Sequence, residues 1–371
     1  MCDILVGMQI DSITLQNFRN HAKREIVFGR GMTLLVGANA VGKTNILEAI
    51  FLLATGRSFR AEVEVQMIQA GQGVAWVKGA VRPDGEEVKL EIVLTTGQAS
   101  LPDGQVIGTR VAKKKYLVDG VGRRMVDFVG NLRVVYFGPQ DLEIITDSPS
   151  VRRNWLDTVL VQIDRDYRRA SLSYRKGLRQ RNRLLEQIRD EGKPRSILFF
   201  WDRLLIENGE MLTAKRQELV DSINRGSWGF GKLRLEYDKS VISFPRLQKY
   251  EKEEVAAGVT LVGPHRDDFK MILADKPAAD NFGSGRDLAL YGSRGEQRTA
   301  VFSLKLAELE FVGLKTGQKP VLLLDDIFSE LDHSHRRRLL KVIPKQQTIM
   351  TTSDIHLVEP EFRSKMEVIK L

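Results

Sequence analysis

The chain has 371 residues, 42% apolar and 28% charged, the balance of a globular protein with room for two or three domains. Lys and Arg outnumber Asp and Glu by 57 to 48, a net charge of +9, which suits an acidic partner such as nucleic acid without proving one. A lone cysteine, Cys2, excludes an internal disulfide framework and a cysteine metal site, and no run of about 20 apolar residues offers a membrane span, so a cytoplasmic protein with no membrane partner is expected.

Met1 to Gly7 lack the basic start of a signal peptide and read as an alternative start or a disordered extension before Met8. Residues 8–18 alternate, with Ile10, Ile13, Leu15 and Phe18 on one face, and predict a half-buried strand. A polar turn, Asn17 to His21, follows; Arg19 within it could touch a nucleotide, but the solvated reading is preferred. Met32 to Val36 is an apolar run that predicts a buried strand. It leads into Gly37-Ala38-Asn39-Ala40-Val41-Gly42-Lys43-Thr44, the phosphate-loop pattern G-x-x-x-x-G-K-T, and then into a helix with Ile46, Leu47, Ala49, Ile50 and Leu53 on one side. Strand, glycine-rich turn and helix are the context this motif needs. Its glycines admit phosphate oxygens to backbone N–H groups, and the helix N-terminus adds positive potential. Lys43 would reach the β- and γ-phosphates and the Thr44 hydroxyl would ligate Mg²⁺.

Gly56 stands where a helix C-cap belongs, and Arg57 and Arg60 beyond it are candidate phosphate contacts, to a nucleotide or to DNA. Alternation over 74–94 and 115–137, with turn signals at Pro83-Asp84-Gly85 and Pro102-Asp103-Gly104, predicts an antiparallel sheet edge that takes in Val134 to Phe137. From Pro149 to about Arg225 the pattern is helical. Arg165 to Arg195 holds eleven Lys or Arg and four acids, a net +7. Tyr167, Ala170, Tyr174, Leu178, Leu185 and Ile188 recur near a 3.5-residue spacing, so one face packs while the other is cationic. A solvated face would explain this; a surface for the phosphate backbone, carried by Arg175, Arg179 and Arg183, is favoured. Leu233, Leu235, Tyr237, Val241, Ile242 and Phe244 predict strands. His265 beside Asp267 and Asp268 could suggest metal or acid–base chemistry, but a hydrogen-bonded structural turn is preferred.

Ser293 and Glu296 form a capping box, S-x-x-E, that opens a long helix whose N-terminus, with Ser293 and Gly295, is open to an anion. Val321 to Leu324 then deliver Asp325 to the carboxyl end of a buried strand, where a Mg²⁺ contact is expected, and Asp326 follows as a candidate general base toward water. Ser329 to Asp332 make the next turn, and Thr348 to Thr351 a final strand.

The order of these motifs, a phosphate loop near the start and a carboxylate strand near the end, resembles the ATP-binding-cassette ATPases of the SMC and Rad50 class. Ser293–Gln297 is similar to their signature motif and Ser329–Asp332 to their D-loop. Asn17-Phe18-Arg19-Asn20, Gly37–Asn45, Gly56–Arg60, Gly263–Asp268 and Ser293–Thr299 together resemble the RecF family of bacterial recombination mediators, over nearly the whole chain from Met8.

The resemblance implies an α/β head, a mixed sheet with flanking helices, built from 1–147 and 263–371 with a mainly helical lobe, 148–262, inserted. It implies ATP and Mg²⁺ as cofactors, an ATP-dependent homodimer, and a weak DNA-stimulated ATPase. It also implies binding to double-stranded and gapped DNA without sequence preference, and work with RecO and RecR to load RecA in repair, replication restart and the SOS response. Ser293 would contact the γ-phosphate held by the other copy, Asp325 would take the metal, Asp326 the catalytic position where related enzymes carry Glu, and Gln140 the Q-loop position. No histidine ends the 348–352 strand, and His356 lies beyond it. Two other readings are a structural DNA-bridging ATPase with long arms and a transporter ATPase subunit. Against the first, a helical insertion of about 76 residues folded on itself reaches only roughly 50–60 Å. Against the second, the spacing from phosphate loop to signature is too wide for a compact cassette.

Overall fold

A computed structural model describes residues 7–100, 106–226, 232–274, 285–330, 336–337, 339 and 343–371. They fall into two units, one made of Met1–Gln140 with Glu308–Leu371 and the other of Asp141–Ala307.

In the first unit the strand Met32–Val36 finds its neighbours at the far end of the chain. Five parallel strands lie in the order Val134–Phe137, Val321–Asp325, Thr348–Thr352, Met32–Val36, Met366–Lys370. The register sets Leu34 opposite Met350 and Val368, and Leu323 opposite Tyr136 and Ile349. Every residue of Val321–Asp325 is buried, as in a parallel sheet covered on both faces. Val134–Phe137 is likewise buried at all four positions, and it belongs to this sheet, not to the antiparallel edge expected from the sequence. A run of buried residues without alternation is the signal for that placement. Met366–Lys370 is a further strand beyond the expected last one.

A second, antiparallel sheet has the order His21–Val27, Gln9–Phe18, Val74–Arg82, Val88–Thr95, Lys114–Val118, Val121–Arg123. The helix Lys43–Thr55 packs against strands of both sheets, which is why every residue from Ile46 to Thr55 is buried and its apolar surface runs all round. The strand Val74–Arg82 approaches so closely that a Cβ on Gly79 would lie 2.7 Å from Leu53 Cδ1. Gln347 ties the sheets: it accepts from Ile10 N–H at 2.8 Å and donates to the carbonyls of Ile10 and Gly29 at 2.9 and 2.8 Å. Of the expected loop turns, Pro102-Asp103-Gly104 lies outside the described residues.

The second unit pairs three helices, Pro149–Ile163, Arg165–Glu191 and Phe199–Arg225, with an antiparallel sheet of Lys232–Asp238, Asp268–Ala274 and Gly285–Asp287. The two long helices have 27 residues each, roughly 40 Å at 1.5 Å per residue, a lobe and not an arm. Residues 263–307 group here and not with the C-terminal part of the head, because Asp268–Ala274 pairs along its length with Lys232–Asp238. Val241 to Phe244 is not a strand. Ser243 caps a helix, Phe244–Lys249, accepting from Arg246 N–H, with Pro245 in the first turn.

The interior of this unit is charged. Arg216 donates to Asp157 at 2.8 Å and Asp267 at 2.9 Å, and Arg181, fully buried, donates to Asp202 at 2.6 Å and Glu254 at 2.7 Å. Buried arginines of this kind must be paired, and each has two carboxylates. His265 is part of the same interior: its Nε2–H donates to Thr260 O at 3.0 Å and its Nδ1 accepts from the Tyr174 hydroxyl at 2.8 Å. Gly263, at φ 129°, passes so near that a Cβ would sit 2.2 Å from the Tyr174 oxygen. Among the described residues no group of three or more His, Cys, Asp or Glu is placed to hold a metal, and no helix is long and apolar enough to cross a membrane.

Burial pushes the His265 imidazole down from its ordinary 6.5 to about 4. Between those values the unfolded chain binds the proton and the folded chain does not. Stability should therefore be complete above about pH 6.5 and fall by up to about 1.4 kcal/mol per pH unit as pH drops toward 4. Denaturant unfolding across that window should show the slope, and His265→Gln should flatten it.

Candidate functional site

The phosphate loop is held from outside by the turn before it. Asn20 Nδ2 donates to Ala40 O at 3.1 Å, Asn45 Nδ2 donates to Asn20 Oδ1 at 2.7 Å, and His21 Nε2 lies 3.2 Å from Gly42 O. Burial lowers the His21 pKa, so the neutral ring with its N–H on Nε2 is the donor to Gly42. Gly42 starts the helix Lys43–Thr55 at φ 105°, and a Cβ there would fall 2.5 Å from His21 Nε2, so both conformation and space require glycine. Lys43 Nζ donates to Gly37 O at 2.7 Å and Ala38 O at 2.9 Å, arching over the loop.

The sheet register brings Asp325 to that loop. Thr44 Oγ1 donates to Asp325 Oδ1 at 3.0 Å, and Thr351 Oγ1 donates to the same oxygen at 2.7 Å. Tyr136 OH reaches Asp325 Oδ2 at 3.2 Å and Gln140 Oε1 at 3.0 Å. A hydroxyl has one proton, so the Gln140 amide turned to donate would satisfy both contacts. Gly138 is required here: a Cβ would lie 2.1 Å from the Tyr136 oxygen. Asp326 adopts φ 50°, a left-handed conformation tolerated by Asp, and its N–H donates to Thr351 Oγ1 at 3.0 Å. The structure thus brings together Lys43, Thr44, Asp325, Asp326 and Gln140. Sequence reading missed Tyr136 and Thr351, whose positions next to Asp325 follow only from strand order and register.

A second focus is Glu48, fully buried in the same helix. Arg19 donates to it twice, at 2.9 and 2.6 Å, Arg60 at 2.8 Å, and the Ser58 hydroxyl as well. Burial alone would raise the Glu48 carboxyl, but the hydrogen bonds from Arg19, Ser58 and Arg60 outweigh it and hold it below the usual range. Arg19 is therefore not solvated as expected. It braces the helix after the phosphate loop and also donates to Gln66 O. Arg19, Asn20, Asn45, Arg60, Gln66 and Ile68 line an open cleft of about 540 Å³.

Of the expected DNA contacts, Arg57 is exposed, whereas Arg60 is tied to Glu48 and Asn45. In the second unit Arg179 and Arg183 are exposed and, among the described residues, have no ion-pair partner. Arg175 is half-buried and donates to Asp157 at 2.6 Å, and Arg181 lies inside. The +7 of Arg165 to Arg195 is thus partly counter-charge for buried carboxylates, not a continuous cationic face. Ser293 and Glu296 form the capping box: Ser293 N–H and Oγ both donate to Glu296 Oε2 at 2.9 Å, and Glu296 N–H returns to Ser293 Oγ at 3.3 Å. Arg286 pairs with the other Glu296 oxygen, and Gly295 is open: a Cβ at that position would meet nothing within 4 Å. Of the Ser329–Asp332 turn, Leu331 and Asp332 lie outside the described residues.

Comparison with known proteins gives a consistent match over this length. The family described as RecF/RecN/SMC N terminal domain matches residues 9–361. The chain is 38% identical over 384 residues to the DNA replication and repair protein RecF of Herpetosiphon aurantiacus, covering 97% of each. It is 37% identical to the same protein of Roseiflexus castenholzii, covering 93% of each. The solved structure of the recombination mediator protein RecF with ATP is similar at a TM-score of 0.83 and 33% identity, covering 95% of this chain and 94% of that one.

Glu48→Gln should leave two arginines without their shared carboxylate and cost about 3 kcal/mol of unfolding free energy. Chemical denaturation would measure it, and an unshifted midpoint would remove Glu48 from its bracing role.

Proposed function

The chain belongs to the RecF family of DNA replication and repair proteins, and from that premise we propose that it is an ATP-driven DNA clamp. It binds ATP with Mg²⁺ at the phosphate loop, and two copies close over the nucleotides. The pair holds double-stranded and gapped DNA without sequence preference, and in the cytosol it works with RecO and RecR to load RecA during repair, replication restart and the SOS response. Hydrolysis is slow and DNA-stimulated, and it resets the clamp.

One observation carries the nucleotide reading: the Thr44 hydroxyl and the Asp325 carboxylate, from opposite ends of the chain, share a hydrogen bond of 3.0 Å at the mouth of the loop. Two hard oxygen ligands, with no larger cluster of His, Cys, Asp or Glu among the described residues, is the donor set that suits Mg²⁺ shared with a triphosphate. Thr44 and Asp325 would hold the metal, which supplies charge neutralisation on the phosphates. Gly37 to Gly42 offer backbone N–H groups to the phosphates, and Lys43 turns from the loop carbonyls to the γ-phosphate. Asp326, one residue past the metal ligand, orients the attacking water as general base, with its backbone fixed by Thr351. The cleft beside the loop, with Arg19, Asn20, Asn45 and Arg60, receives the nucleoside end, so Arg60 serves the nucleotide rather than DNA.

Ser293 and Gly295 open the long helix Arg294–Thr316 and act on the γ-phosphate held by the other copy. On the DNA side, Arg57, Arg179 and Arg183 make backbone contacts; Arg175 is occupied by Asp157 and acts mainly in folding. The bridging reading requires an arm, and helices of 27 residues do not supply one.

Sedimentation with and without ATP tests the first part. The native chain should pair only with ATP, and Lys43→Met should stay single; equal pairing of both, or none by either, overturns the reading. For DNA, replacing Arg179 and Arg183 with alanine should lower the slope of log affinity against log salt by about 2 on duplex. An unchanged slope moves the contact elsewhere, whereas Arg175→Ala should show itself as lost stability.

A further inference from the structure

Tyr136 carries a hydroxyl into an otherwise apolar strand. It lies in Val134–Phe137, opposite Leu323 in the parallel register, and is 5% exposed. A phenol buried there is costly unless its hydroxyl is paired. The hydroxyl donates to Asp325 Oδ2 at 3.2 Å, and the Gln140 amide, 3.0 Å away, donates to the phenol oxygen. Asp325 is also buried, and it takes its hydrogen bonds from Thr44 and Thr351 on the other oxygen, Oδ1. Among the described residues Tyr136 is thus the donor to Oδ2. The last torsion of an aspartate is broad, so hydrogen bonds must set the plane of its carboxylate. Two donors on one oxygen leave that plane free to tilt; a third on the other oxygen fixes it.

The phenol ring is held as well as its hydroxyl. Phe59 stacks on it with ring centres 4.1 Å apart and planes at 21°. Phe51 meets both rings edge-on, at 6.0 Å to Tyr136 and 5.3 Å to Phe59. Stacked and edge-on pairs fix ring orientation as well as burying area. Phe51 stands on the helix Lys43–Thr55, and the segment Gly56–Arg60 that carries Phe59 is fastened to Glu48 of that helix by Ser58 and Arg60. Both oxygens of Asp325 are therefore braced from one helix: Oδ1 by Thr44 at its start, and Oδ2 by Tyr136 through Phe51 and Phe59. All of these residues belong to the first unit.

We propose that Tyr136 is a positioning residue for the nucleotide's metal site. Its hydroxyl sets the plane of the Asp325 carboxylate, and Phe59 with Phe51 sets the phenol, so that the carboxylate is aimed before nucleotide arrives. The proposal rests on the reading of Asp325 as a metal ligand. Groups that orient a metal-binding carboxylate act on metal affinity. A tyrosine that only filled space would act on stability, and phenylalanine would replace it without effect on the metal.

The test uses the full chain and a fluorescent, non-hydrolysable ATP analogue, titrated with Mg²⁺ at fixed nucleotide. Tyr136→Phe, which removes one oxygen, should raise the Mg²⁺ midpoint about ten-fold while binding without Mg²⁺ stays unchanged. Phe59→Leu, which keeps the hydroxyl but loosens the ring, should give a smaller rise in the same direction. The double variant should shift no further than Tyr136→Phe alone, because both changes act through one contact. Chemical denaturation without nucleotide reads stability separately. A lowered unfolding midpoint with an unmoved Mg²⁺ midpoint assigns Tyr136 to folding and overturns the proposal. A shift for Tyr136→Phe with none for Phe59→Leu, or additive shifts, overturns the part given to Phe59. If the native chain responds to Mg²⁺ and Tyr136→Phe responds identically, the phenol has no such role and the nucleotide reading stands. If the native chain's binding ignores Mg²⁺, the metal site falls and the proposal with it.

Discussion

A single carboxylate, Asp325, joins the two ends of this chain. Its strand lies between one that ends at Phe137 and one that ends at Thr352, and the latter lies beside Met32–Val36. The carboxylate therefore emerges at the same edge as the phosphate loop, where Thr44, Thr351 and Tyr136 all reach it. No local sequence signal can place these groups together; the parallel register does. Residues distant in sequence become hydrogen-bonded neighbours only when the first and last parts of the chain fold as one sheet, so nucleotide binding and the integrity of that sheet are one problem.

The second unit solves a different problem, how to keep charges inside a helical lobe. Arg181 and Arg216 are nearly without solvent contact, and each is matched by two carboxylates. Such pairs contribute little net stability over apolar packing, but removing one member leaves an uncompensated buried charge. They make the lobe intolerant of single changes and fix the turn Gly263–Asp268, whose Asp267 binds Arg216 and whose His265 binds Tyr174. The motif that could have suggested a metal is held entirely by this network.

Sequence reading recovered what is local. The phosphate loop with its strand and helix, the cap at Gly56, the capping box at Ser293 and the apolar delivery of Asp325 are patterns of a few residues with one physical meaning each. It failed where meaning depends on what arrives from elsewhere. Val134–Phe137 has no feature that names its neighbour, and Val321–Asp325 made it part of a parallel sheet. Arg19 read as solvated and Arg60 as a phosphate contact because Glu48, the carboxylate they share, reads as one polar position of a buried helix. Arg175 read as part of a cationic face, and Arg181 counted toward its charge, for the same reason: Asp157, Asp202 and Glu254 are far off in sequence. Charge counts along a helix give the sum, and only the fold divides it between inside and outside.

The central claim is that each nucleotide site is completed by a second copy. Mixing a Lys43→Met chain with a Ser293→Ala chain tests it directly, because one of the two pockets in a mixed pair then keeps both the lysine of one copy and the serine of the other. The account predicts that each variant alone is inactive and that the mixture recovers part of the native ATP turnover. A mixture as inactive as its components, under conditions where the native chain turns over, would contradict it.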